Sequence, residues 1–203
     1  MPSASAPRRS QQDRSSSTRK LLISAGRQLF AERGYAEVSA DEISAAAGLT
    51  RGALYHHYGG KEELFAAVFE DLEREVAAEI GAVLAGPQAA VSAAGPPAAI
   101  ARFLDLCVRP DVIRIALTDA PAVLGWERWR KIESAHGLGL VADALQTAVD
   151  AGLVIAVPVR TLAQLVLSAV IEAALLIAHS PEPRQARAEA DQALAALLNG
   201  LVQ

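Results

Sequence analysis

Residues 39–61, SADEISAAAGLTRGALYHHYGGK, leave the backbone little choice of local structure. Ser39 stands three residues before Glu42. At that spacing the hydroxyl accepts from the Glu42 amide and the carboxylate reaches back to the cap amide, so a helix starts here. Ile43 and Ala47 give it an apolar edge at i, i+4 spacing. Gly48 follows the last turn, where a left-handed residue is needed and glycine has no Cβ to clash. Leu49 packs back into the seam, and Thr50 caps a second short helix through its hydroxyl. In that second helix Leu54 is the inward anchor, while Arg51, Gly52, Ala53, Tyr55, His56 and His57 lie around the remaining surface. Two short helices joined by such a turn form a helix-turn-helix, whose second helix enters the major groove of DNA.

The side chains of the second helix suit that use. Arg51 is in its first turn, where a guanidinium can grip guanine O6 and N7 with two bonds, a pairing worth about 1–3 kcal/mol of discrimination. Gly52 and Ala53 let the backbone come close to the bases. Tyr55 offers a hydroxyl to phosphate, His56 and His57 offer ring N–H donors, and Lys61 adds a positive charge at the start of the next helix. The expected DNA-contact set is Ser39, Thr50, Arg51, Gly52, Ala53, Tyr55, His56, His57 and Lys61. The two histidines do not suggest a metal site, because adjacent helical positions point about 100° apart.

The stretch RKLLISAGRQLFAERGY (Arg19–Tyr35), with VSADEISAAAGLTRGALYHHYGGKEELF (Val38–Phe65), resembles the TetR family of bacterial transcriptional regulators. The Leu-Tyr-His-His-Tyr run followed by Lys-Glu-x-Leu carries most of that resemblance, which covers about residues 18–69. Two positions depart from the family's pattern: Gly60 replaces a stronger cap before Lys61, and Asp41 stands where some members place a base-contacting arginine. The resemblance implies an all-α fold, with a DNA-binding domain over residues 18–65 and a helical effector-binding and dimerisation domain over 66–203. It also implies a homodimer through the last two helices, about 159–179 and 184–201, on a palindromic operator. A small-molecule effector would release the dimer from DNA, so the implied role is repression. A DNA-binding regulator without an effector is the alternative reading.

The net charge of −4 argues against a nucleic-acid partner only until the chain is divided. Residues 1–61 carry +4 and residues 62–203 carry −8, so positive potential gathers on the segment with the motif. Aromatic residues are only 4% of the chain and alanine dominates its apolar content, which favours helices over strands. A single cysteine, Cys107, excludes an internal disulfide and suits a reducing cytoplasm, where the chain is expected to act. The N-terminal residues are polar and basic, unlike a signal peptide. The apolar run Leu165–Ala178, interrupted by Glu172, reads as a buried helix rather than a membrane span.

Residues 1–17 are Ser-, Pro- and Gln-rich and read as disordered, with Arg8, Arg9 and Arg14 forming either a DNA-contacting arm or a solvated tail. Helices are expected over Thr18–Arg33, Glu62–Leu84, Ala98–Val108, Trp126–Ala151 (softened at Gly137 and Gly139), 159–179 and 184–201. Loops are expected at Gly86–Pro97 and around Pro121 and Gly125. No Gly-rich phosphate loop, nucleophile elbow or His-Glu-x-x-His motif occurs, so no catalytic residue, cofactor or metal is expected. The candidate effector pocket draws on Arg102, Phe103, Leu106, Cys107, Trp126, Trp129, His136 and Glu172. Such a lining suits a mostly apolar effector with one polar end, or a basic one only if Glu172 faces the cavity ionised. Glu172, a carboxylate in an apolar helix, is either a polar anchor in that pocket, a member of a buried ion pair, or a contact across the dimer.

Overall fold

A computed structural model describes residues 11–86 and 95–201, with side chains described over 15–86 and 97–201. Described residues form helices and connecting turns, with no strand among them. The helices are α1 (Gln11–Arg33), α2 (Ala40–Ala46), α3 (Arg51–Tyr58), α4 (Lys61–Leu84), α5 (Gly95–Leu106), α6 (Ala120–Glu133), α7 (Gly139–Asp150), α8 (Val159–Ala178) and α9 (Pro183–Asn199). Wider π-type turns, Val112–Asp119 and Ser134–Leu138, lead into α6 and join α6 to α7.

Three boundaries differ from the sequence expectation. Residues 11–17 are the first turns of α1 and not a disordered tail, while residues 1–10 lie outside the described residues. Adding turns to a helix already anchored by buried Leu22 makes one further hydrogen bond per residue, so an apolar stripe is not required there. Pro121 is not in a loop but sits in the first turn of α6, where its missing N–H has no partner to lose. Gly125, at φ 75°, breaks the helix locally and the chain resumes helical form at Trp126. The softening expected at Gly137 and Gly139 is the π-type turn at Ser134–Leu138. The loop expected at Gly86–Pro97 is described only at its edges, and α5 begins at Gly95.

The core runs unbroken from the first helix to the last. Leu22, Phe30, Val38, Ile43, Leu54, Leu64 and Phe65 are buried where α1–α3 meet the start of α4. Phe65 meets Phe30 and Tyr35 edge-on, at centroid distances of 5.1 and 5.0 Å. Further along α4, Phe69, Leu72 and Val76 pass into a core shared with Leu104, Ile115, Trp129, Val170 and Ile177. The boundary expected at residues 65/66 therefore falls inside one continuous helix, α4, which packs on both α3 and α5.

Ion pairs join the two regions beside that helix. Arg27 of α1 donates to Glu75 at 2.6 Å and to Asp111 at 2.6 and 3.0 Å; Arg109 donates to the same two carboxylates at 2.8 and 2.9 Å. Burial pushes the Asp111 carboxyl up, but Arg109 and Arg27 together hold it below its usual range. Arg128 of α6 grips Glu63 with two bonds of 2.8 and 2.6 Å. Asp119, at the end of the first π-type turn, accepts the Tyr35 N–H at 2.8 Å.

Candidate nucleic-acid interface and effector groove

The cap geometry read from the sequence is present at both helices. Ser39 accepts from the Glu42 N–H at 3.2 Å, and Glu42 accepts the Ser39 N–H at 2.8 Å and its hydroxyl at 2.7 Å. Bonds from Arg33 first, then from Ser39, hold the Glu42 carboxyl down at about 2. Thr50 accepts the Ala53 N–H at 3.3 Å. Leu54 is wholly buried and pins α3 to the bundle. Arg51, Gly52, Tyr55 and His56 are exposed, and Ala53 and His57 are half-buried beside them.

Arg51 is not idle on that face. It donates to Asp41 at 3.1 Å and to the Tyr55 hydroxyl at 3.3 Å, with its guanidinium 5.2 Å from the Tyr55 ring centre. Arg51 and Asp41 side chains are each 61% exposed, so water screens the pair and it gives way to a base or phosphate. His56 and His57 rings meet edge-on at 5.0 Å. Partial burial, then His56 and Arg19, lower the His57 pKa, which favours a neutral ring at pH 7. Gly52 has open space around it: a Cβ there would meet only Thr50 Oγ1, at 3.8 Å. The fold itself has no need of a glycine at that exposed position.

Lys61 is placed differently from expectation. Its ammonium donates to the carbonyls of Tyr35 and Val38, both at 2.9 Å, and lies 4.0 Å from the Tyr35 ring centre. It clamps the turn between α1 and α2 and has at most one N–H left for phosphate. Sequence could not reveal this, because the α1–α2 turn reaches Lys61 only once α4 is packed.

The candidate effector residues separate into groups. Trp126 and Trp129 line one open groove of about 500 Å³, together with Leu117, Thr118, Pro121, Ala122, Ile171 and Leu175. Its walls come from the first π-type turn, α6 and α8, and they are mostly apolar. Trp129 is buried, whereas Trp126 is 65% exposed at the mouth. Arg102 lies outside the groove on the surface, paired with Glu79. Phe103 packs against the core, and Leu106 and Cys107 lie within it. Burial, then the nearby Glu73, raises the Cys107 thiol far above its usual range, so it does not ionise at neutral pH. His136 is half-buried, with Nε2 3.6 Å from a Glu70 oxygen and no hydrogen-bond partner. Glu172 is exposed on α8, outside the groove and in no buried ion pair, which leaves the contact across a dimer of its three readings; it shares a face with Leu165 and Leu176, away from buried Ile171 and Ala174.

Two acidic residues near the groove were not singled out from sequence. Glu133 is buried, one turn along α6 from Trp129; Arg130 bonds one of its oxygens at 2.9 Å and the other has no partner. Burial, then the Glu133 charge, pushes the Glu73 carboxyl of α4 up to about 8. The i, i+4 step from Trp129 to Glu133 was readable in the sequence; the side of α6 that faces inward was not.

Comparisons with known proteins converge on one family. Residues 22–68 match "Bacterial regulatory proteins, tetR family", and residues 94–201 match "Tetracyclin repressor-like, C-terminal domain". The TetC protein of transposon Tn10 from Escherichia coli is 45% identical over 60 residues, 30% of each chain. The transcriptional repressor AcnR of Corynebacterium glutamicum is 39% identical over 74 residues, 35% of this chain and 39% of that one. These matches therefore span well under half the length of the relatives concerned. Repressor Rv1474c of Mycobacterium tuberculosis is 30% identical over 126 residues, 61% of this chain and 65% of that one. In solved structures, a TetR-family regulator from Pectobacterium atrosepticum superimposes with a TM-score of 0.82 at 32% identity, covering 96% of this chain and 98% of that one. With both halves matched and the capped reader helix in place, the chain belongs to the TetR family of transcriptional regulators.

Proposed function

We propose that the protein is an effector-released repressor that binds a palindromic operator as a homodimer. The observation that carries the reading is α3: a capped helix anchored by Leu54, presenting Arg51, Gly52 and Tyr55 to solvent. Arg51 leaves Asp41 to read a base, Tyr55 and His56 meet phosphates, and Ser39 and Thr50 keep their hydroxyls on the caps. AcnR and Rv1474c bear the name repressor, which supports repression over activation.

The dimer face is the outer side of α8 and α9. Leu165, Leu176 and Leu197 are 63, 60 and 63% exposed there, an apolar surface suited to a second copy. Ile171, Leu175 and Leu194 of the same helices turn inward to the groove or the core. Helix α8 is long and apolar enough to cross a membrane by length and composition, yet Val170, Ile171, Ala174 and Ile177 pack within the protein.

An effector in the groove touches Leu117, Thr118 and Pro121, which bracket the Asp119 carboxylate bound to the Tyr35 N–H. Tyr35 is in turn held by Lys61, so a shift of the π-type turn reaches the frame of α2 and α3. Release requires the ligand to bind the off-DNA arrangement more tightly. The test is operator selection from random DNA, followed by binding measured with and without candidate effectors. Absence of any sequence preference removes the regulator reading.

A further inference from the structure

The groove's two tryptophan rings already hold a cation. Their centroids are 5.0 Å apart, and the Arg130 guanidinium lies 4.6 Å from the Trp126 ring centre and 5.0 Å from that of Trp129. Behind it is Glu133, 4% exposed, with one oxygen bonded to Arg130 at 2.9 Å and the other bonded to nothing. A buried carboxylate oxygen with no donor is costly, so an incoming donor or positive charge is favoured. The second acid, Glu73, senses the Glu133 charge, and Glu70 approaches His136 at 3.6 Å. Glu133, one turn from Trp129 on α6, is thus a buried carboxylate beside the tryptophans of an otherwise apolar groove, with Arg130 as its one bonded cation. No cluster of His, Cys, Asp or Glu that could hold a metal ion occurs among the described residues, so the donor that the free Glu133 oxygen lacks is organic.

We propose that the groove binds an organic cation with an apolar body, seated on Trp126 and Trp129 in the place now taken by Arg130 and neutralised by Glu133. Arg130 acts as a tethered occupant. The ligand displaces it from the rings, gains the cation–π attraction and lies against Leu117, Ile171 and Leu175. The inference rests on the groove being the effector site and adds the chemical class of the effector and its counter-charge.

The chain has two tryptophans and both are at the groove, so its tryptophan fluorescence reports on this place alone. The experiment titrates the full chain with tetraphenylphosphonium, with tetraphenylborate (similar shape, opposite charge) and with neutral triphenylphosphine oxide. Phosphonium should bind at least about tenfold more tightly than borate. Glu133→Gln should weaken phosphonium binding about tenfold. Arg130→Met, which keeps an apolar stem and vacates the rings, should tighten it. Borate binding as tight as phosphonium, lost in Arg130→Met, would make this an anion site and overturn the proposal. Unchanged phosphonium affinity in Glu133→Gln overturns it as well. Should Glu133→Gln fail to fold, Trp126→Ala replaces it: Trp126 is 65% exposed, so the fold survives, and Trp129 still reports. Phosphonium affinity unaltered by Trp126→Ala also overturns the proposal. Operator binding measured in parallel separates the two readings. Phosphonium bound without release of DNA upholds the cation site and removes effector release. Release by triphenylphosphine oxide with phosphonium unbound keeps effector release and overturns the cation site.

Discussion

Arg51 and Gly52 adjoin on α3 and make opposite kinds of contribution. Arg51 has its partner waiting in Asp41, a weak exposed pair that orients the guanidinium without trapping it. Arg51→Ala should lower the ratio of operator to random-DNA affinity by about 1–3 kcal/mol, read from paired titrations at one salt concentration. An unchanged ratio would remove direct readout by Arg51. Gly52 supplies absence: nothing in the protein fills the space of its missing Cβ. Gly52→Ala should therefore raise folding stability by about 0.5–1 kcal/mol, since alanine is the better helix former. Operator affinity should fall at the same time, because the methyl group meets the DNA. A Gly52→Ala variant both more stable and equally tight on operator would show that the backbone does not approach the bases there. For Lys61, two carbonyl partners compete with the phosphate role expected of its charge. Lys61→Met should lower the melting temperature and leave the salt slope of DNA binding nearly unchanged, whereas a phosphate contact would reduce that slope by about one.

At the scale of elements, the π-type turn Val112–Asp119 is the part that touches both the groove and the frame of α2 and α3. Its Leu117 and Thr118 line the groove, and its Asp119 holds the Tyr35 amide. Asp119→Ala should leave the ligand's affinity nearly intact while shrinking its effect on DNA binding; Asp119→Asn, which keeps an acceptor, should restore the coupling. Equal release in wild type and Asp119→Ala would place the coupling elsewhere, for instance through Arg128 and Glu63. Half-buried Glu73 of α4 and buried Glu133 of α6 add a pH signature. Glu73 rises from 4.5 to about 8, so between those values the folded chain keeps a proton that the unfolded chain releases. Stability contributed by that proton is complete below about pH 4.5 and lost as the pH climbs through about 8, with a slope of at most about 1.4 kcal/mol per pH unit. Melting temperatures across this range should decline more steeply for wild type than for Glu73→Gln; parallel curves would mean Glu73 is solvated. The helices and both caps were legible in sequence because periodicity and caps are local. Which face of α6 or α8 turns inward was not, since that depends on partners far along the chain. Glu172 and Glu133 are both carboxylates in helices with apolar neighbours, and packing alone put the first in solvent and the second inside.

For the whole molecule, the charge division and the outer face of α8 and α9 make one argument. The N-terminal 61 residues carry +4 and the remainder −8, so the acidic half is repelled from DNA and the reader half is drawn to it. A single α3 offers few base contacts, too few for strong discrimination against a genome of competing sites. Pairing two copies joins two readers, and half-sites about 34–36 Å apart then present successive major grooves on one side of the duplex. The surface available for that pairing holds Leu165, Leu176 and Leu197, with Glu172 on the same side of α8. Leu176 is 60% exposed in the single chain, so Leu176→Glu removes no core packing and places a second carboxylate one turn from Glu172. Two copies meeting on that face would bring four carboxylates together away from water. The variant should sediment as a folded monomer at micromolar concentration, with helical content unchanged by circular dichroism. Its operator affinity should drop by orders of magnitude and approach that of one reader on a half-site, since linkage between the readers is lost. A Leu176→Glu variant that remains a dimer and keeps full operator affinity would move the interface off α8. The exposed leucines would then belong to another partner, and the palindromic operator would lose its structural basis.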